Sequence, residues 1–216
     1  MTSIGTAIAE GIIAFAATNI DDIIILLLLF SQLNESFRRR NIIIGQYLGF
    51  AILVAASLPG YFGGLVVQKE WIGLLGLLPI VIGVKQLIDR EKDTTQVQTV
   101  SNDFQQNLPN NSLTAFVFSI LNPKTYQVAA ITVANGGDNI SIYIPLFAGQ
   151  DFIGLLTILG VFFVMVGVWC GIAYLLTLQP NLAYMLSRYG KPIVPFVLIG
   201  LGLFIMYERG TFELLR

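Results

Sequence analysis

Long apolar runs, cut by short polar segments, set the pattern of this chain. Runs at residues 8–30, 42–67, 71–88, 127–149, 152–178 and 191–207 each suffice for a helix crossing a bilayer core of about 30 Å at about 1.5 Å per residue. The pattern predicts an all-α integral membrane protein with six transmembrane helices. Residues 31–41 form a polar connector. Residues 89–112 open with mixed charge, continue rich in Gln, Asn, Ser and Thr, and read as a flexible linker. Residues 113–121 are apolar but too short to span, and Pro123 disfavours helix at the residue before it. They form an interfacial or re-entrant piece, or the early part of the fourth helix. The predicted division is a first three-helix repeat at 1–88, a cytoplasmic linker at 89–112 and a second three-helix repeat at 113–216.

Two of the runs carry a polar interruption near the middle. The first holds Thr18-Asn19-Ile20-Asp21-Asp22, and the fourth holds Asn135-Gly136-Gly137-Asp138-Asn139. At an offset of 117 residues Asp21 falls on Asp138, Asp22 on Asn139, Ile23 on Ile140, Leu29 on Leu146 and Phe30 on Phe147. Gly73 and Gly83 fall on Gly190 and Gly200 at the same offset. This is the mark of an internal duplication. Three spans per half is an odd number, so the halves are expected to be inverted, a recurring plan in secondary transporters. An Asp at the centre of a spanning helix costs roughly 2.5–3.5 kcal/mol on insertion scales, and intramembrane carboxylates default to function.

Composition sharpens this picture. Of 216 residues 55% are hydrophobic and 12% charged, with a mean hydropathy of +0.76; a soluble domain is about 25% charged. The net charge is −1 and no basic run exceeds Arg38-Arg39-Arg40, which argues against nucleic-acid binding. One cysteine, Cys170, and no histidine exclude an intrachain disulfide and the usual zinc or haem ligation, so no tightly bound cofactor is expected. No Lys or Arg precedes the first run, and Glu10 lies within it, so that run is expected to be a retained span and not a signal peptide. Of the Lys and Arg residues, nine lie in or beside the odd-numbered connectors and three on the opposite side. The bias places both termini outside a prokaryotic-type inner membrane and the linker in the cytoplasm.

Residues three and four apart share a helix face. Thr18 therefore shares a face with Asp21 and Asp22, Asn19 with Asp22, and Asn135 with Asp138 and Asn139. Asp21 and Asp22 point about 100° apart, and Gly11, Ala14 and Thr18 favour the face of Asp22. Gly136-Gly137 and Pro145 make the fourth helix easy to break, and carbonyls freed there can coordinate a cation. The candidate metal site is Thr18, Asn19, Asp21, Asp22, Asn135, Asp138 and Asn139. Gln46, Tyr47 and Tyr143 read as helix-contact residues. The candidate set offers only oxygen as a cation ligand, which suits manganese, calcium or magnesium, whereas cadmium favours thiolate.

Thr-Asn-Ile-Asp-Asp at 18–22, Ile-Gly-Gln-Tyr-Leu-Gly at 44–49, Gly-Leu-Leu-Gly-Leu-Leu-Pro-Ile at 73–80 and Asn-Gly-Gly-Asp-Asn-Ile at 135–140, followed by Tyr143 and Pro145, resemble the cadmium resistance transporter family of the lysine-exporter superfamily. The resemblance runs through helices one to four and more weakly through helix six. It implies an efflux carrier for a divalent cation, with Asp21 or Asp22, Asp138 and the flanking asparagines on the family's motif positions.

The resulting expectation is a secondary exporter of a divalent cation in exchange for protons. A bound cation and protons compete for buried carboxylates, and no G-x-x-x-x-G-K-[ST] motif points to ATP. The expected partners are the divalent metal ion, protons as counter-ion and the lipid bilayer; a homo-oligomer is left open. Two rival readings remain: an intramembrane enzyme built on a shared-proton aspartate dyad, and an exporter of cationic amino acids.

Overall fold

The computed structural model describes residues 4–66, 69–88, 123–179, 193–208 and 211. The 89–112 linker, the 113–121 segment, the 180–189 connector and the start of the sixth run at Lys191 lie outside the described residues. Every regular element among those described is helical: α1 (Ile4–Thr18), α2 (Ile20–Ser31), α3 (Arg39–Gly64), α4 (Lys69–Gly73), α5 (Leu77–Ile88), α6 (Pro123–Asn135), α7 (Ile140–Ala148), α8 (Phe152–Thr177) and α9 (Val194–Glu208). A single 3-10 turn, Leu74–Gly76, joins α4 to α5.

The apolar runs become helices, but two of them are interrupted. The first bends by 59° between α1 and α2, and the fourth is divided into α6 and α7 by a turn at 136–139. Among the described residues three helical stretches, α3, Trp71–Ile88 through the 3-10 turn, and α8, are long and apolar enough to cross a membrane, and four if the bent α1–α2 pair is counted as one span. The α6 and α7 pieces have 13 and 9 residues, each short of the roughly 20 a span needs.

The packing fixes relative directions. Asn41 bonds Thr125, a Cβ on Gly49 would meet Thr132, and one on Gly60 would meet Ile144, so α3 runs parallel to α6–α7. Gly11 faces Val161, Phe15 stacks near Phe162 and Phe30 near Tyr174, so α1–α2 runs parallel to α8. Gly76 faces Gly202 and Gly83 faces Pro195, so α5 and α9 are antiparallel. The helices thus pair as α1–α2 with α8, α3 with α6–α7, and α5 with α9. Between α3 and α7 the approach is so close that a Cβ on Gly64 would collide with the carbonyl of Ala148.

An aromatic cluster fills the centre: Phe15, Phe50, Tyr143 and Phe162 are buried, with ring centroids 4.8–6.1 Å apart in the pairs Phe15–Phe50, Phe50–Tyr143 and Tyr143–Phe162. Outward, Ile12, Ile52, Val81, Val164 and Phe196 are exposed on α1, α3, α5, α8 and α9. Such a girdle is a liability in water but costs nothing against lipid chains as apolar as leucine.

Candidate cation site

The break in the first run has a local cause. The Thr18 hydroxyl donates back to the Ala14 carbonyl at 2.9 Å, while the Asn19 amide Nδ2 donates to the Phe15 carbonyl at 2.9 Å. Asn19 leaves helical geometry at φ −112°, ψ 14°, and its own carbonyl accepts the Trp169 indole N–H at 2.7 Å. The carbonyls of Ala14, Phe15 and Asn19 therefore already have side-chain or indole donors. A new helix starts at Ile20, which puts Asp21 and Asp22 in its first turn, where the positive end of the helix dipole favours negative charge.

The fourth run repeats this plan by different means. Gly136 approaches α3 so closely that a Cβ would run into Leu53. The turn closes with Asn139 N donating to the Gly136 carbonyl at 3.1 Å, and Asn139 precedes α7 as its N-cap residue. The 117-residue offset carries Asn19 onto Gly136 and Asp22 onto Asn139, so the two breaks coincide in register as well as in sequence.

The breaks face one another. Asn135 Nδ2 donates to Asp22 Oδ1 at 2.7 Å, and Asn139 Nδ2 to Asn19 Oδ1 at 3.5 Å. Tyr143 Oη lies 2.9 Å from Thr18 Oγ1 and accepts from Asn19 Nδ2 at 2.8 Å. Helix one and helix four therefore cross in opposite directions, with Asp22 near Asn135 and Thr18 near Tyr143. Asn19, Asp22 and Asn139 are buried, whereas Asp21, Asn135 and Asp138 are exposed. The adjacent aspartates point to different environments, Asp22 inward and Asp21 outward. Among the described residues no three His, Cys, Asp or Glu side chains converge as a metal site.

Sequence reasoning set aside two residues that belong here and overlooked a third. Gln46, on α3, donates through Nε2 to Asp22 Oδ2 at 3.1 Å, and its Oε1 accepts from the Thr132 hydroxyl at 2.7 Å. Gln46, Thr132 and Tyr143 are all buried. For Gln46 the signal was its place in an apolar span within one of the motifs; Thr132, in a run that already back-bonds Val128 at 3.0 Å, gave none. Tyr47 does act as a helix contact, donating to the Phe163 carbonyl at 3.0 Å.

Both oxygens of Asp22 are thus held by amide N–H donors from two other helices. Each amide carries an oxygen on its other end, so a half-turn replaces a donor to the carboxylate with a second oxygen ligand for a cation. With Asn19, Asn139 and Thr18 alongside, the arrangement can supply a carboxylate and several neutral oxygens to a hard cation.

No curated protein and no solved structure matches the chain. The model of the cadmium resistance transporter family matches residues 15–216, a stretch that takes in both breaks and every residue of the candidate site, and the chain belongs to that family.

Proposed function

We propose that this membrane transporter exports a divalent metal cation by secondary, alternating-access exchange with protons, through a site between the two helix breaks. The observation that carries the reading is the buried Asp22 carboxylate, spanned by amides from helix two and helix four at 3.1 and 2.7 Å. A cation arriving from the cytoplasm displaces those two N–H donors and takes oxygens from Asp22, Gln46 and Asn135, with Asn19, Asn139, Thr18 and the outward carboxylates Asp21 and Asp138 along its path. Protons from outside neutralise the carboxylates and release it. The donor set favours cations content with oxygen, such as manganese or calcium.

Six spans arranged as two inverted three-helix repeats complete this reading, with both termini outside an inner membrane. Its support is the exchange of partners between halves, the antiparallel crossing of helices one and four, and the register of the two breaks. An aspartyl dyad enzyme finds less support, because Asp22 is bonded to amides and not to a second carboxyl group.

The test is cation flux with coupled proton movement in proteoliposomes, comparing wild type with Asp138→Asn. Asn keeps the size and hydrogen bonding of Asp but not its charge. Transport should fall tenfold or more, the equivalent of about 1.4 kcal/mol. Wild-type transport by a correctly inserted Asp138→Asn would remove Asp138 from the site and leave it a packing group.

A further inference from the structure

A second buried acid lies away from the two breaks. Glu10, in the middle of α1, is 3% exposed, and Gln150, at the corner between α7 and α8, is 5% exposed. The Gln150 amide lies 2.6 Å from Glu10 Oε2. As an N–H donated to a carboxylate this is shorter than the usual range of about 2.7–3.2 Å, but it falls within the range of about 2.5–3.0 Å for O–H···O. In the same arrangement Gln150 Oε1 is buried with no hydrogen-bond partner. That oxygen stands over Gly154 in the first turn of α8, beside Asp151 Oδ1, since a Cβ on Gly154 would touch both. A buried amide oxygen set among carboxylates, with no donor, is a mismatch that native interiors rarely keep.

One proton removes the mismatch. With Glu10 protonated and the amide turned over, the Glu10 O–H donates to Gln150 Oε1, and Nε2 swings to the side of Asp151 Oδ1. Asp151 already accepts Gly154 N–H at 2.8 Å, and a carboxylate oxygen takes a second donor readily. The two ends of an amide are nearly the same size, so the turn leaves the packing intact. We infer that Glu10 and Gln150 form a proton-binding site distinct from the cation site, at the end of helix one where the chain begins. Among the described residues, the following groups border it. Glu10 is the sole titratable residue of α1, and Asp151 caps α8. Next to Glu10, Gly11 meets Ile158 and Val161 of α8, Thr6 lies a turn earlier on α1, and α9 presents Val197, Gly200, Leu201 and Phe204, with Glu208 a turn beyond.

Its position couples it to the cation site. The antiparallel α1 and α7 are joined at two places, Thr18 and Asn19 to Tyr143, and Glu10 to Gln150. These joints are seven to eight residues apart on each strand of the pair, about 10–12 Å along a helix. Gaining or losing a proton at one joint rewrites the hydrogen bonding that holds α1 to α7, and the same two helices lead directly to Asp22 and Asp138. The inference rests on the exporter reading for its purpose, but not for the existence of the site.

The experiment uses the full chain with cadmium as probe and three readouts. The first is exchange of labelled for unlabelled cadmium across proteoliposomes at equal pH, which needs no net proton movement. The second is cadmium transport driven by a pH gradient. The third is the infrared band of a protonated carboxyl group, titrated on purified protein. Glu10→Gln should keep cadmium exchange, lose gradient-driven transport tenfold or more, and lose the component of the titrating carboxyl band that Glu10 contributes, while the component from the cation-site aspartates stays. Gradient-driven transport at the wild-type rate, or an unchanged band, overturns the proposal. If Glu10→Gln does not insert, Gln150→Leu replaces it: the midpoint of the carboxyl titration should move, and an unmoved midpoint overturns the site. Loss of exchange together with gradient-driven transport in both folded variants would make the pair structural and also overturn it. A wild type that exchanges no cadmium but shows the Glu10 band would defeat the exporter reading and leave the proton site standing.

Discussion

At the scale of single residues, the question is what holds a buried charge in place. Asp22 accepts two amide N–H bonds, from Gln46 and Asn135, and sits in the first turn of α2. Hydrogen bonds to a charged group contribute about 1.5–3 kcal/mol each, so the carboxylate is kept in position before any cation arrives. Asp21 is one residue away and exposed. Asp22→Asn and Asp21→Asn should therefore differ. The first should weaken cadmium binding at least tenfold, about 1.4 kcal/mol, and the second should weaken it less. Isothermal titration of both purified variants checks this, and equal losses would place both carboxylates on the ion. The small-residue stripe Gly11, Ala14 and Thr18 only favoured Asp22 over Asp21 as the inward residue, and the burial of Asp22 comes from the fold. The part of Gln46 was not legible, because a glutamine in an apolar span bonds other helices whether or not it borders a site, and only the fold brings α3 against α2. Gln46→Leu should leave Asp22 Oδ2 short of a donor and destabilise the cation-free protein by about 1–3 kcal/mol, readable as a lower unfolding midpoint that cation addition partly restores.

At the scale of elements, the breaks and the close helix contacts do the shaping. Both interruptions were visible as polar motifs inside apolar runs, and the Gly-Gly pair marked the second. The 59° bend at Asn19 was not visible, because no glycine or proline announces it. It arises from the competition of Thr18 and Asn19 side chains for the carbonyls of Ala14 and Phe15, which is the way such residues oppose helix elsewhere. The α3 face toward helix four shows what glycines are for. A Cβ on Gly64 would occupy the place of the Ala148 carbonyl, while one on Gly160 of α8 meets nothing within 4 Å. Gly64→Ala must push α7 away from α3 and should cost about 1–3 kcal/mol. Gly160→Ala should stabilise its helix by about 0.5–1 kcal/mol. Thermal unfolding of the two variants in one detergent measures both. A tolerated Gly64→Ala would mean that α7 is not seated against α3 as closely as described.

At the scale of the whole molecule, the directions of the helices constrain how the chain can sit in a membrane. Helix one runs parallel to α8 and antiparallel to helix four, and α5 runs antiparallel to α9. Those relations are what alternate crossing of a bilayer requires when the chain passes six times, although the described helices include only three or four that meet the length of a span on their own. The short α6 and α7 reach that length only together, across the Gly136-Gly137 turn. Absolute orientation rests on the charges: nine Lys and Arg on or beside the odd-numbered connectors against three opposite, a bias that points the richer side to the cytoplasm. A single cysteine placed at Thr95, in the linker, should stay protected from an impermeant thiol reagent in intact cells. One placed at Thr211 should be labelled. Cys170 is buried and gives a low background in both. The opposite labelling pattern would turn the molecule over, put Glu10 and Gln150 on the cytoplasmic side, and require that protons enter where the cation was assigned to start.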